Sequence, residues 1–209
     1  MFKLPKLLGS ALLAVSLFAS AGLALAGPTY HVTLDTSAYS GSNGNIDFNL
    51  LAVDGATAAT AVVSNFSGLP NAVSTRSGAV SGNLPGAVTF MNTSGFNDLF
   101  QSVVFQNAIS FDVSFMGDFL TNAGVDGSIF AVALFNEAGD AYLGANGGNQ
   151  VEFALTPASG NAAGSVTFTL LEAGAGATLV SAAVPEPTAL MLLLTGFGLM
   201  GVMVKRRQA

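Results

Sequence analysis

The chain has 209 residues, 51% of them hydrophobic, a formal net charge of −6 at pH 7, and neither cysteine nor tryptophan. Between Gly27 and Val184 eleven Asp and Glu residues stand against one base, Arg76, a surface that repels phosphate backbones and argues against nucleic acid as a partner. Without cysteine there are no disulfides and no lipobox. With His31 as the one histidine, a zinc site lacks its usual donors.

Residues 1–26 begin with Lys3 and Lys6, continue through an apolar stretch from Leu7 to Phe18, and end in Ala24-Leu25-Ala26. A basic start, a short apolar run and a small-x-small ending predict a signal peptide. The partners it implies are the Sec translocon and signal peptidase, with cleavage after Ala26 leaving Gly27 as the first residue.

Residues 27–184 have the length of one domain, and their dominant period is two. Ile46-Asp47-Phe48-Asn49-Leu50, Phe111-Asp112-Val113-Ser114-Phe115, Val151-Glu152-Phe153-Ala154-Leu155 and Val166-Thr167-Phe168-Thr169-Leu170 each alternate, as strands with one wet face do. Val32 to Leu34 predicts a first strand. Ile129 to Phe135, apolar on both faces, predicts a central one. It leads through a hairpin connection, Asn136 to Asp140, into Ala141-Tyr142-Leu143. Gly, Asn, Ser and Asp clusters at 40–45, 121–127, 144–149 and 159–164 mark turns. Asn97 to Phe105 is the one stretch with room for a short helical turn before a strand. A last strand is expected over about 177–183.

Many short alternating strands predict an all-β fold, an antiparallel β-sandwich or jelly roll. Phe48, Phe90, Phe111, Phe115, Phe130, Phe135, Phe153 and Phe168 are its expected core. The ectodomain would then be followed by a single C-terminal transmembrane helix. Thr188 to Val204 is 17 residues without a charge, about 26 Å of helix against a hydrocarbon core near 30 Å. Lys205, Arg206 and Arg207 follow it, and the positive-inside bias places them in the cytoplasm. Pro185 and Pro187 keep that helix from running back into the domain.

Pro185-Glu186-Pro187, the apolar run and the basic end together resemble the PEP-CTERM sorting signal of Gram-negative bacteria. The resemblance covers residues 185–209. It implies recognition by exosortase, a membrane cysteine protease-like enzyme, with Pro185, Glu186 and Pro187 as recognition residues and Lys205 to Arg207 as the retention charge. It also implies anchoring in the inner membrane before processing, then a cell-surface or extracellular place, in bacteria that make exopolysaccharide and biofilm. Tyr30 to Ser37, Ile109 to Phe115 and Phe130 to Gly144 are similar to an uncharacterised group of PEP-CTERM ectodomains, which brings no known activity.

For chemistry in the domain, His31 is the one candidate base, and no G-x-S-x-G, H-E-x-x-H, P-loop or G-x-G-x-x-G accompanies it. A partly exposed residue at the start of an edge strand is the simpler reading of His31, and no catalytic residue is assigned. Calcium needs only carboxylates and carbonyls. Asn122 with Asp126, and Asn136 with Asp140, are the loop candidates for it, although Asp and Asn are also ordinary turn formers. Tyr30, Tyr39 and Tyr142 are candidates for a sugar platform. The sequence thus predicts an exported, tail-anchored, non-enzymatic surface or matrix protein. A carbohydrate-binding module and a secreted hydrolase are the alternatives.

Overall fold

Alternation builds the domain. Ile109, Phe111, Val113 and Phe115 turn to the inside and are fully buried, while Ser110, Asp112 and Ser114 between them stay partly exposed. The computed structural model describes residues 27–144 and 146–180, which are all-β apart from two single 3-10 turns, Ser37–Tyr39 and Asp118–Leu120. The first six strands are β1 (Thr29–Asp35), β2 (Asn43–Ala52), β3 (Thr60–Ser64), β4 (Leu69–Ser77), β5 (Val80–Gly82) and β6 (Val88–Met91). Then come β7 (Phe96–Val104), β8 (Ala108–Met116), β9 (Ser128–Phe135), β10 (Asn149–Thr156), β11 (Ser165–Leu170) and β12 (Ala175–Val180).

Two six-stranded sheets result, one in the order β12-β1-β8-β3-β6-β5 and the other β11-β10-β9-β2-β7-β4. Every ladder between them is antiparallel. The pairings nest: β1 with β8, β2 with β7 and β3 with β6, successive pairs falling in alternate sheets. The meander β9-β10-β11 widens the second sheet beyond β2, and β12 widens the first beyond β1.

The inward faces of both sheets share one core, giving a sandwich-like arrangement. Phe48 on β2 meets Phe111 on β8 edge-on, with ring centroids 5.0 Å apart. Phe115 on β8 lies 5.2 Å from Phe153 on β10. Six of the eight phenylalanines expected in the core are fully buried there: Phe48, Phe90, Phe111, Phe115, Phe130 and Phe153. Each contributes roughly 1.5–3 kcal/mol relative to an exposed position. Phe168 is 40% exposed because β11 is an edge strand, though its ring still touches Tyr30 and Phe153. Phe135 departs from expectation in direction: its neighbours Leu134 and Val132 take the inward places, so it stands on the outer face. Phe66, Phe105 and Phe119, from connecting segments, close the core instead.

Three further expectations are corrected. Asn97 to Phe105 contains no helical turn, because Asn97, Leu99, Gln101 and Val103 all face inward in a strand paired on both sides, by β2 and β4. His31 does not lie on an edge strand, because β12 covers the flank of β1 away from β8. Ala141 to Leu143 forms a single bridge, Phe135 to Tyr142, rather than a full second hairpin arm. Among the described residues no helix is long and apolar enough to cross a membrane. The expected signal peptide with Ala24 and Ala26, the end of the last strand, the apolar run 188–204 and the sorting residues Pro185, Glu186, Pro187, Lys205, Arg206 and Arg207 lie outside the described residues.

Candidate functional site

The outer face of the second sheet is unusually sheltered at its centre. Ala131 and Ala133 on β9 face outward, and their small side chains leave a low floor between the bulkier residues of β10 and β2. One continuous row of paired residues crosses all six strands: Thr169, Glu152, Ala131, Asn49, Asp98 and Ser77. A neighbouring row runs Asn149, Ala133, Asp47, Phe100 and Thr75. The register slip between Asn149 and Val151 is a bulge, which re-aims a side chain. It brings Asn149 onto the face of Glu152, where Asn149 Nδ2 donates to Glu152 Oε1 at 2.7 Å.

Aromatic rings stand at one end of this face. Phe135 lies 4.3 Å from Tyr142 and 5.2 Å from Phe100, centroid to centroid, and Tyr142 is 48% exposed. Beside them Asn45 is fully used: its Nδ2 donates to Asn136 O at 2.7 Å and its Oδ1 accepts from Ser102 Oγ at 2.9 Å. At the other end Ile129, Leu51 and Phe96 are cross-strand neighbours, each exposed, and make an apolar strip.

Between the two ends the polar groups are not all satisfied. Asn49 Nδ2 donates to Asp47 Oδ2 at 3.0 Å. The remaining oxygens, Asp47 Oδ1 and Asn49 Oδ1, are buried without a hydrogen-bond donor. The Asp98 carboxyl is within hydrogen-bonding reach of Asp47. Burial first, then Asp98 by hydrogen bond and by charge, push the Asp47 carboxyl up to about 8, with the Asn49 bond pulling the other way. At neutral pH Asp47 is thus mostly protonated. Arg76, the one Lys or Arg of residues 27–184, is spent elsewhere, donating from Nη2 to Asn83 Oδ1.

The residues singled out from sequence are distributed differently. On the outer face of the other sheet, His31 Nδ1 and Asp112 Oδ1 are 2.7 Å apart, with the His31 side chain 44% exposed. Asn65 Nδ2 donates to the second oxygen, Asp112 Oδ2, at 2.7 Å. That bond is the main influence lowering the Asp112 carboxyl; desolvation opposes it, and the hydrogen bond and charge of His31 add smaller lowering effects. Among the described residues no hydroxyl hydrogen-bonds to the His31 ring. The couple is a partly exposed cross-strand hydrogen bond between β1 and β8.

Of the loop residues proposed for calcium, Asn136 and Asp140 bond to each other across a turn. Asn136 Nδ2 donates to Asp140 Oδ1 at 2.7 Å, and Asn136 Oδ1 accepts from the backbone of Asp140. Gly139, at φ +75°, supplies the left-handed residue that this turn requires. Asn122 Oδ1 accepts from Thr121 Oγ1 at 3.2 Å, and Asp126 offers its backbone carbonyl to Thr57 N. Among the described residues no three His, Cys, Asp or Glu side chains gather at one point. Of the tyrosines, Tyr30 is buried and Tyr39 is packed on Phe105, so Tyr142 is the one presented to solvent beside the polar row. The pairing of Asp98 with Asn49 escaped sequence reading, since nothing local to either strand fixes their register. No family model, curated protein or solved structure matches this chain.

Proposed function

We propose that the chain is an exported surface or matrix protein, non-enzymatic, carried out by the Sec translocon and sorted by exosortase through its tail. The observation that carries this reading is the order Pro185-Glu186-Pro187, uncharged Thr188 to Val204, then Lys205-Arg206-Arg207, coupled to a signal-peptide pattern ending at Ala24-Leu25-Ala26 and Gly27. The apolar run is the transmembrane helix that holds the protein in the inner membrane until processing. Residues 27–184 form the ectodomain, and the nested pairings β1–β8, β2–β7 and β3–β6 support reading it as a jelly roll. Intact mass of the cell-associated protein tests the sorting step. The expected mass lacks residues 1–26 and the helix. A mature form retaining 188–209 in cells with active exosortase refutes it.

A carbohydrate-binding role for this ectodomain is favoured by one specific feature, the Tyr142, Phe135 and Phe100 ring cluster beside a row of carboxamide, carboxyl and hydroxyl groups. Sugars bind by stacking on a ring face while hydroxyls bond to such polar groups. The ligand in view is a neutral exopolysaccharide, since the domain sets eleven acids against a single Arg and no Lys. On a glycan array the full chain in detergent micelles is expected to bind saturably, and Tyr142→Ala to weaken that binding at least tenfold. Binding indifferent to Tyr142→Ala removes this face from consideration.

A further inference from the structure

We infer that Asp47, Asn49 and Asp98 form a binding site for a divalent, oxygen-seeking cation, with calcium the best fit. Asp47 and Asn49 lie two residues apart on β2 with side chains on the same face, and Asp98 on β7 is the cross-strand partner of Asn49. The bond from Asn49 Nδ2 to Asp47 Oδ2 fixes both side chains and leaves Asn49 Oδ1 without a partner, and Asp47 Oδ1 with only the Asp98 carboxyl in reach. Asn49 is only 7% exposed, and a buried acceptor left without a donor is costly. Such an acceptor beside two carboxyls is an arrangement that proteins otherwise avoid.

Size and charge select the ligand. Both oxygens are closed to solvent in the ion-free chain, so a sugar ring does not reach them, whereas a small ion does, from the side of the part-exposed Asp47 and Asp98. Every donor is a carboxyl or carbonyl oxygen, the set that hard cations take, and no nitrogen or sulfur ligand is nearby to favour zinc. Two carboxylates match a double positive charge, and no Lys or Arg is present to compete, Arg76 being bonded to Asn83. Glu152, two strands from Asn49 across Ala131, stands roughly 10 Å away by strand spacing and adds only long-range attraction. Water completes the coordination shell on the open side.

The test is calorimetric titration of calcium into the full chain in detergent micelles, stripped beforehand with chelator. One site is expected, with a Kd of about 10⁻⁴–10⁻³ M, the range of extracellular calcium modules. Asp98→Asn and Asn49→Leu are each expected to weaken binding at least tenfold, while Asp126→Asn and Asp140→Asn leave it unchanged. Should Asp98→Asn lose the β-sheet circular dichroism spectrum, Asp47→Asn, which keeps the shape of the protonated acid, takes its place. No calcium heat from a chain with a β-sheet spectrum overturns the assignment. So does binding that survives Asp98→Asn and Asn49→Leu, or that falls with Asp126→Asn or Asp140→Asn. The glycan reading stands or falls separately, because a chain that binds calcium but no glycan fails only the latter.

Discussion

Phe130→Ala is expected to destabilise the domain by about 3–5 kcal/mol, the range for deleting a fully buried aromatic ring. The ring is completely buried, and it touches Phe48 on its own sheet, Phe90 and Phe115 across the core, and Phe153 on the neighbouring strand. Four rings held by one another cannot all move into the space it leaves, so most of the cavity persists. Without cysteine no disulfide offsets the loss, and domains of this size hold only about 5–15 kcal/mol in reserve. Thermal unfolding followed by circular dichroism should show a midpoint lower by roughly 8–15 °C. Phe168→Ala, at an exposed edge position, should cost about 1 kcal/mol. Equal losses at the two positions would mean that the sheets do not share the core described.

Asp47→Asn is expected to make the calcium-free protein more stable at pH 8 and to leave it unchanged at pH 4. Asp47 titrates at about 8 in the folded chain against an ordinary value of 3.8. Between those limits the folded state holds a proton that the unfolded state has released. Its contribution to stability is therefore full below about pH 4 and is lost as pH rises toward 8, with a slope approaching 1.4 kcal/mol per pH unit. Over pH 5 to 8 the difference between the two proteins reaches at most about 4 kcal/mol. Asparagine reproduces the protonated acid, donating to Asp98 and accepting from Asn49, without a charge to lose. The lowered Asp112 carboxyl has the opposite sign, contributing stability that disappears at acid pH, but it is common to both proteins and cancels. Denaturant melts at pH 4, 6 and 8 in chelator check the prediction. Parallel pH profiles for the two proteins would show that Asp47 is ionised throughout.

Alternation made the strands legible wherever one face is apolar and the other polar, as in Ile46 to Leu50 and Phe111 to Phe115. It failed where the outer face also carries bulk. Leu99, Phe100, Val103, Val104 and Phe105 mimic a helical stripe, yet Phe100 belongs to the outer ring cluster and only Leu99, Val103 and Phe105 are core. Phe135 misleads for the same reason, its place outside being explained by Tyr142. Phe105 and Phe119 sit outside the strands, where period two gives no direction. The loop acids looked like ligands because turn chemistry and calcium chemistry use the same residues. The sheet acids looked like solvated positions because Asp47 and Asp98 each alternate with core residues. Only the register of β2 against β7, set by the fold between them, brings the two carboxyls together.

The position of β1 dictates when this domain can form during synthesis. Its two neighbours join it through residues far downstream: Asp112 is 81 positions beyond His31, and Thr178 is 147 beyond it. A chain emerging amino end first holds that opening segment unpaired until β8 is free, and one flank of it bare until nearly the whole domain is out. Such long-range closure is intrinsically slow. A product cut short before Ala175 would keep a bare ladder along β1, an invitation to edge-to-edge aggregation. The last strand thus acts as the check that the first sheet is complete.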